Sequence, residues 1–359
     1  MIGFPWIAGA SEYLDLDAPV SIDAANLTPG WPKALAANIK VIGVGGAGGN
    51  AVEHMIREGL RGVEFICANA DSRGLSRSSA PTEILLGPGS GTAGNSELAS
   101  EFAINQRSRI AQVLTGADMI FVIAGMGGGT GTGAAPVFAE LARKMGILTV
   151  AVVSTPFEFE GRRKDVAWKG MSELDRQVDA LIVLPNERLF KFMDSDATMY
   201  EAFRFADQNV KNAVSCIANS VNAPGTINLD FEDVRLVLNG SGLCGMGSAT
   251  FRGPDRARWA ARSALYFPSM SCIQSAQRTS ILFNVAANRT LGLKDAASVF
   301  RTLRKNSPEE ATLLGSVAID DSMGDKLRVT VIATTSGRLA PLKRIGHWRN
   351  IASGATTWL

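Results

Sequence analysis

The chain has 359 residues, and 36 Lys and Arg against 34 Asp and Glu leave a formal charge of +2, so bulk electrostatics favours neither nucleic acid nor anionic lipid as a partner. With 46% hydrophobic and 19% charged residues, the composition is that of a globular protein long enough for two cores, which excludes disordered, collagenous and fibrous classes. Cys67, Cys216, Cys244 and Cys272 are far apart with no C-x-x-C pair, and His54 and His347 are the only histidines, so a disulfide framework, a cysteine zinc site and a His-rich metal centre are all disfavoured.

No apolar run reaches the roughly 18 residues of a membrane span, and the start, MIGFPWIAGA, has no basic residue ahead of its apolar stretch, so a cytoplasmic protein is expected. Residues 1–36 hold Pro5, Pro19, Pro29 and Pro32 without periodicity and read as a tail. From there IKVIGV, a helix over Gly48 to Leu60, VEFICAN, a long polar loop, DMIFVIAG, a helix over Thr132 to Met145, ILTVAVVS and DALIVLP alternate, which predicts a parallel sheet covered on both faces over residues 37–198. Met199, Phe203, Ala206, Val210, Ala213, Ile217 and Val221 then recur every three or four residues, predicting one long buried helix over 199–222 that stops at Asn222-Ala223-Pro224-Gly225. Residues 223–337 read as a second α/β unit, with strands near SILFNVAA and KLRVTVIAT and helices near RARWAARSAL and LKDAASVFRTLRK, before a tail over 338–359.

Two loops carry the chemistry. Gly43-Val44-Gly45-Gly46-Ala47-Gly48-Gly49-Asn50 follows a strand and opens a helix, where backbone N–H groups and the helix dipole suit a phosphate. Its G-x-G-x-x-G spacing also fits a dinucleotide turn, and a plain tight turn is the bland alternative. A second such loop, Gly125-Met126-Gly127-Gly128-Gly129-Thr130-Gly131-Thr132-Gly133, suits a polyphosphate better than either.

GGGTGTG is the signature of the tubulin/FtsZ family, and GVGGAGGNAV resembles its first phosphate loop. The resemblance runs from about Ile39 to Thr335 and includes VSTPFEFEG, LIVLPNERLF, INLDFEDVR and LRVTVIAT in order. It implies an α/β, Rossmann-like GTPase domain joined by a central helix to a smaller α/β domain, with GTP or GDP as ligand and Mg2+ as cofactor. Gly45, Gly46, Ala47, Gly48, Gly49 and Asn50, together with Gly127, Gly128, Gly129, Thr130, Gly131, Thr132 and Gly133, would then surround the phosphates.

The resemblance also places Asn69 and Asp71 near the γ-phosphate and its magnesium, although alone they read as a strand-ending Asx turn, and Ala70 stands where the family has Thr. Glu160 would face the ribose, or is simply a solvated loop carboxylate. The family's arginine falls on Lys164 or, because the segment to Leu174 is one residue short, on Arg163; by itself the basic run Arg162-Arg163-Lys164 is a solvated face. Asn186 would hydrogen-bond the guanine and Phe203 stack on it, whereas periodicity alone makes Phe203 helix core. Asp207 and Gln208 replace an Asn-Asp pair common in the family. A carboxylate accepts from both guanine donors and a glutamine offers one acceptor and one donor, so guanine specificity is open to relaxation.

Asn228, Asp230 and Asp233 match the loop that, in the family, enters the next subunit's nucleotide site and positions the attacking water; locally, Asp230 and Asp233 read as a capping box. The partner implied is therefore a second copy stacked head to tail, in an open filament of the cytoplasmic division ring. A conventional FtsZ and other division proteins are further partners, with membrane contact only through one of them. ILLGPGSGTAGNSELAS is shorter than the family's γ-phosphate loop, and the chain stops at Trp358-Leu359 without the family's long linker and terminal peptide. Both departures motivate an alternative, a paralogue that co-assembles with or regulates a conventional FtsZ. A nucleotide-dependent oxidoreductase rests on G-x-G-x-x-G alone.

Overall fold

Short apolar runs, two of which lead into glycine turns, set the first half of the fold. The computed structural model describes residues 36–189, 193, 196–222, 225–267, 270 and 278–335, so both predicted tails, with His347, Trp358 and nearly all of their length, as well as Cys272 and the Ala223-Pro224 helix stop, lie outside the described residues. The described residues, Ala36 onward, belong to one compact unit. In order come β1 (Ile39–Val44), α1 (Gly45–Arg57), β2 (Glu64–Asn69), α2 (Ser72–Leu75), β3 (Thr82–Leu85), α3 (Ser96–Asn105), α4 (Arg107–Leu114), β4 (Met119–Gly125), α5 (Thr130–Lys144), β5 (Leu148–Thr155), α6 (Arg163–Leu174), β6 (Ala180–Pro185) and α7 (Asn186–Leu189). The expected long polar loop thus contains β3, α3 and α4. Its polar, weakly periodic sequence conceals them.

β1 is buried along its whole length, with Val41 and Ile42 facing opposite apolar clusters, as a parallel strand covered on both sides requires. Its one charge, Lys40, donates to the carbonyls of Val113 and Thr115 at 2.7 and 3.1 Å and pairs with Glu64 at 3.4 Å. Burial of a lysine is tolerated here because its donors find partners.

The second half consists of α8 (Met199–Asn222), β7 (Gly225–Ile227), α9 (Phe231–Leu238), β8 (Gly242–Arg252), α10 (Arg256–Leu265), β9 (Arg278–Ala287), α11 (Leu293–Lys305), β10 (Thr312–Ile319) and β11 (Lys326–Thr335). α8 has the predicted bounds and buries Val210, Ala213, Val214 and Ile217, but Met199 and Phe203 at its start are exposed rather than core. β8 escapes sequence analysis because GLCGMGSATFR is rich in small residues. Close packing explains one of them, since a Cβ at Gly247 would collide with the Ala264 carbonyl of α10.

The strands run β3-β2-β1-β4-β5-β6-β8-β11-β9-β10-β7 in one 11-stranded sheet. β1 through β6 are parallel, β6 meets β8 over three residue pairs, and β11 is antiparallel to both neighbours. The order 3-2-1-4-5-6 reverses direction between β1 and β4. Ligands of open α/β sheets bind at the carboxyl ends of the strands at such a switch, and the two glycine loops leave those two strands.

Candidate functional site

Both helices that follow the glycine turns begin without a side-chain cap: Val44 ahead of α1 and Gly129 ahead of α5 offer none. α1 starts at Gly45, three residues earlier than its sequence suggests, and α5 at Thr130, two earlier. Their first N–H groups lack intrahelical acceptors and carry the positive end of the helix dipole, so the pair forms a nest for anionic oxygen.

A cleft of about 420 Å³ opens between them. Of the predicted residues, Gly46, Ala47, Asp71, Gly128, Gly129, Thr130, Gly131, Glu160, Arg163, Asn186 and Phe203 line it. Gly45, Gly49, Asn50 and Asn69 line an adjoining cavity that shares Gly46. A Cβ on Gly46, Gly49 or Gly128 would meet nothing within 4 Å, so these backbones face open space.

Other members of the glycine turns stand behind the cleft. Gly127, at φ +97°, donates its N–H to Thr132 Oγ1 at 2.9 Å, so the buried Thr132 braces the turn rather than facing the cleft. Gly48 and Gly133 pack against the carbonyls of Ile123 and Ser96.

At the other end of the cleft, the Glu160 carboxylate accepts from Phe157 N–H at 2.9 Å and pairs with Arg163 at 2.7 Å. The structure separates the two basic candidates. Arg163 lines the cleft, whereas Lys164 pairs with Glu158 at 2.8 Å and borders a different cavity beside Trp168. Phe203 is 43% exposed at the cleft mouth, edge-on to Phe157 with ring centroids 5.5 Å apart. Buried Asn186 has an Oδ1 with no hydrogen-bond partner among the described residues, an acceptor at the cleft wall awaiting a donor.

Asn69 and Asp71 do form the Asx turn, Asp71 N–H donating to Asn69 Oδ1 at 3.2 Å, and Asp71 also caps α2 by accepting from Arg73 N–H at 3.0 Å. Gln208 is placed elsewhere: its side chain engages His54 Nε2 at 3.1 Å and Asn212 Oδ1 at 2.9 Å and lines a separate cleft. Asp207 does not border the phosphate cleft either. Burial raises its carboxyl pKa to about 7, against the opposing pull of Arg57.

Asn228, Asp230 and Asp233 lie past the far end of α8, all exposed. Asp230 occupies the N-cap position of α9, yet its side chain accepts no capping hydrogen bond, so the capping-box expectation fails and the carboxylate is uncommitted.

Two family profiles match the chain: the tubulin/FtsZ GTPase domain over residues 38–194 and the FtsZ C-terminal domain over residues 240–337. The cell division protein FtsZ of Pseudomonas aeruginosa is 45% identical over 309 residues, covering 85% of this chain and 78% of that protein. The chain belongs to the tubulin/FtsZ family. FtsZ of Coxiella burnetii is 42% identical over 88% of this chain and 84% of its own length. A solved structure described as an empty FtsZ dimer from M. jannaschii superposes with a TM-score of 0.79 at 36% identity, over 83% of this chain and 88% of that one. A GTPase activity and a GTP-dependent cytoskeletal role in cell division come with FtsZ family membership.

This FtsZ family member also brings Gly91, Thr92, Ala93 and Gly94 of the shortened γ-phosphate loop, and Ser154 and Pro156 of VSTPFEFEG, to the cleft; the resemblance marks these segments but not these individual residues. Thr92 is buried against Gly129, so the shortened loop touches the second glycine turn. Ala93 sits at φ +48°, a left-handed conformation that costs a side-chain-bearing residue of order 1 kcal/mol. Ser154 arrives through strand pairing, in register with Gly125. The loop's place at the γ-phosphate is what the resemblance of ILLGPGSGTAGNSELAS implies, and no single residue in it signals that role.

Proposed function

We propose that GTP binds in the cleft between the starts of α1 and α5, and that a second copy of the chain supplies Asn228, Asp230 and Asp233 to hydrolyse it. One observation carries this reading. The cleft with Phe203 and the loop with Asn228 lie at opposite ends of α8, whose 24 residues span about 36 Å, so a single chain cannot bring them together.

In the proposed complex the open backbones of Gly46 and Gly128 and the uncapped helix N–H groups hold the phosphates. Arg163 and Glu160 meet the ribose, and Asn186 Oδ1 accepts from the guanine with Phe203 against its face. Magnesium is commonly held by one or two carboxylates together with substrate phosphates, and Asp71 offers one carboxylate at the cleft edge. Bound there, Mg2+ would neutralise charge on the β- and γ-oxygens. From the second copy, Asp230 and Asp233 orient a water in line with the γ-phosphate while backbone N–H groups stabilise the developing charge.

Both ends that would meet carry exposed apolar side chains. Leu236 is 82% exposed and Ile227 is exposed near the Asn228 loop, while Tyr200, Met199 and Phe159 are exposed near the cleft. A head-to-tail contact of this kind is heterologous and extends into a filament. The shorter loop that motivates a merely regulatory paralogue still delivers Gly91 to Gly94 to the cleft, so we favour a self-sufficient polymerising GTPase. On this reading residues 37–198 are the GTPase domain, 199–222 the linking helix and 223–337 the domain carrying the catalytic loop. The protein works in the cytoplasm at the division site, with a membrane reached through a partner.

The test is GTP hydrolysis per subunit across a protein concentration series with magnesium, followed by pelleting of the same samples. Turnover and pelletable polymer are expected above a common threshold concentration. Turnover that is constant per subunit from dilute to concentrated protein would overturn the shared site.

A further inference from the structure

Away from the phosphate cleft, a second cleft of about 1040 Å³ runs along α8 between the end of α1 and the edge of the second half of the sheet. Its walls are polar, and several of their groups are uncommitted. The side chain of Arg328, on β11, makes no hydrogen bond or close ion pair among the described residues. Burial pushes its guanidinium pKa down, with Asp320 and Glu58 among the groups opposing, so a half-buried cation that stays charged has carboxylates nearby but none in close contact. Buried Ser215 has an Oγ with no partner among the described residues. Asn222 donates its amide N–H groups to the Ala37 and Gly62 carbonyls, each at 2.8 Å, which leaves its buried Oδ1 without a donor.

Buried polar groups are normally satisfied, and two on α8 that are not, lining the same cleft as a half-buried arginine on β11, describe the complement of a guest. Arg328 asks for an anion. Asn222 Oδ1, an acceptor only, asks for a hydroxyl or N–H donor, and the Ser215 hydroxyl serves either role. An apolar guest would leave all three unpaired, and a fully ionised phosphate would bring nothing to donate to Asn222.

We propose that this cleft is a binding site for a phosphorylated sugar, its phosphate on Arg328 and its hydroxyls on Asn222 and Ser215. The site is distinct from the phosphate cleft and does not rest on the catalytic reading given above. Because its walls come from the turn after α1, from α8 and from the strands beyond β6, a bound guest ties the two halves of the sheet together.

Isothermal titration calorimetry on the full chain saturated with GDP tests this, with glucose 6-phosphate, glucose and inorganic phosphate as probes. Glucose 6-phosphate is expected to bind at submillimolar concentration and at least about tenfold more tightly than either fragment, since only it offers both the charge-assisted and the hydroxyl contacts. Arg328→Gln should weaken it by about tenfold or more and Ser215→Ala by a few-fold, with binding of a fluorescent GDP unchanged as the folding control. Absence of glucose 6-phosphate binding, equal binding of inorganic phosphate, or unchanged affinity in Arg328→Gln would each overturn the proposal.

Discussion

Asp207 is a carboxyl kept protonated by burial up to about pH 7, where the unfolded chain releases the proton near 3.8. The folded form therefore binds more protons between those values, so stability contributed at this position falls as pH rises from about 4 to 7 and stays low above. Asp207→Asn should remove that fall and raise thermal stability at pH 8, with roughly 4 kcal/mol as the ceiling set by the size of the shift; melting curves from pH 5 to 8 decide, and a variant melting lower at pH 8 refutes the burial argument. Asp233, exposed and with no structural bond to lose, gives a cleaner test. Asp233→Ala should leave fluorescent GDP binding intact, cut turnover by on the order of 100-fold and lengthen filament lifetime. Normal turnover in that variant would remove it from the mechanism. At this scale the sequence is most informative where chemistry resides in the backbone, because glycine spacing itself is the signal. It is least informative where side chains converge from different strands: Ser154 reaches the cleft by pairing with Gly125, and Gln208 is turned aside by His54 and Asn212, contacts that no local pattern encodes.

Among the elements, α1 and α5 show how a phosphate site is built from omission. Neither helix supplies its own cap, and the loop through Thr92 closes over Gly129. A Cβ at Gly129 would strike Thr92 Oγ1 and the backbone of Gly94 and Asn95. Gly129→Ala should therefore force the two loops apart and weaken GTP binding by about tenfold or more, as an overpacked contact commonly costs 1–3 kcal/mol. Fluorescent-nucleotide titration measures it, and unaltered affinity would show the contact to be dispensable. α8 is legible from sequence in both its bounds because six turns of apolar periodicity outweigh local noise, whereas α3 and α4 are hidden in polar sequence and β8 in small residues. The predicted helix starts fall late by two or three residues because glycine has poor helix propensity even where an anion site needs it.

For the whole molecule, the relevant surface is the pair of ends. Leu236 is almost fully exposed, so it contributes nothing to the fold of an isolated chain. Leu236→Glu should leave melting temperature and GDP binding unchanged while abolishing pelletable polymer and with it turnover; sedimentation and phosphate release on the same sample check this, and polymer at normal yield would place the contact elsewhere. The overall class, a parallel sheet leading through one long helix into a second α/β unit, is readable from the order of runs alone. The joining of both units into a single sheet is not, since it depends on the three pairs between β6 and the unforeseen β8. Separation of the two halves of the proposed catalytic site by the length of α8 has an arithmetic consequence. A row of n copies contains n − 1 complete sites, so one tip always carries a nucleotide that cannot be cleaved. A pair of molecules would turn over at half the per-subunit rate of a long row, and the tip with the open cleft would keep a GTP in place for as long as no further copy arrives there.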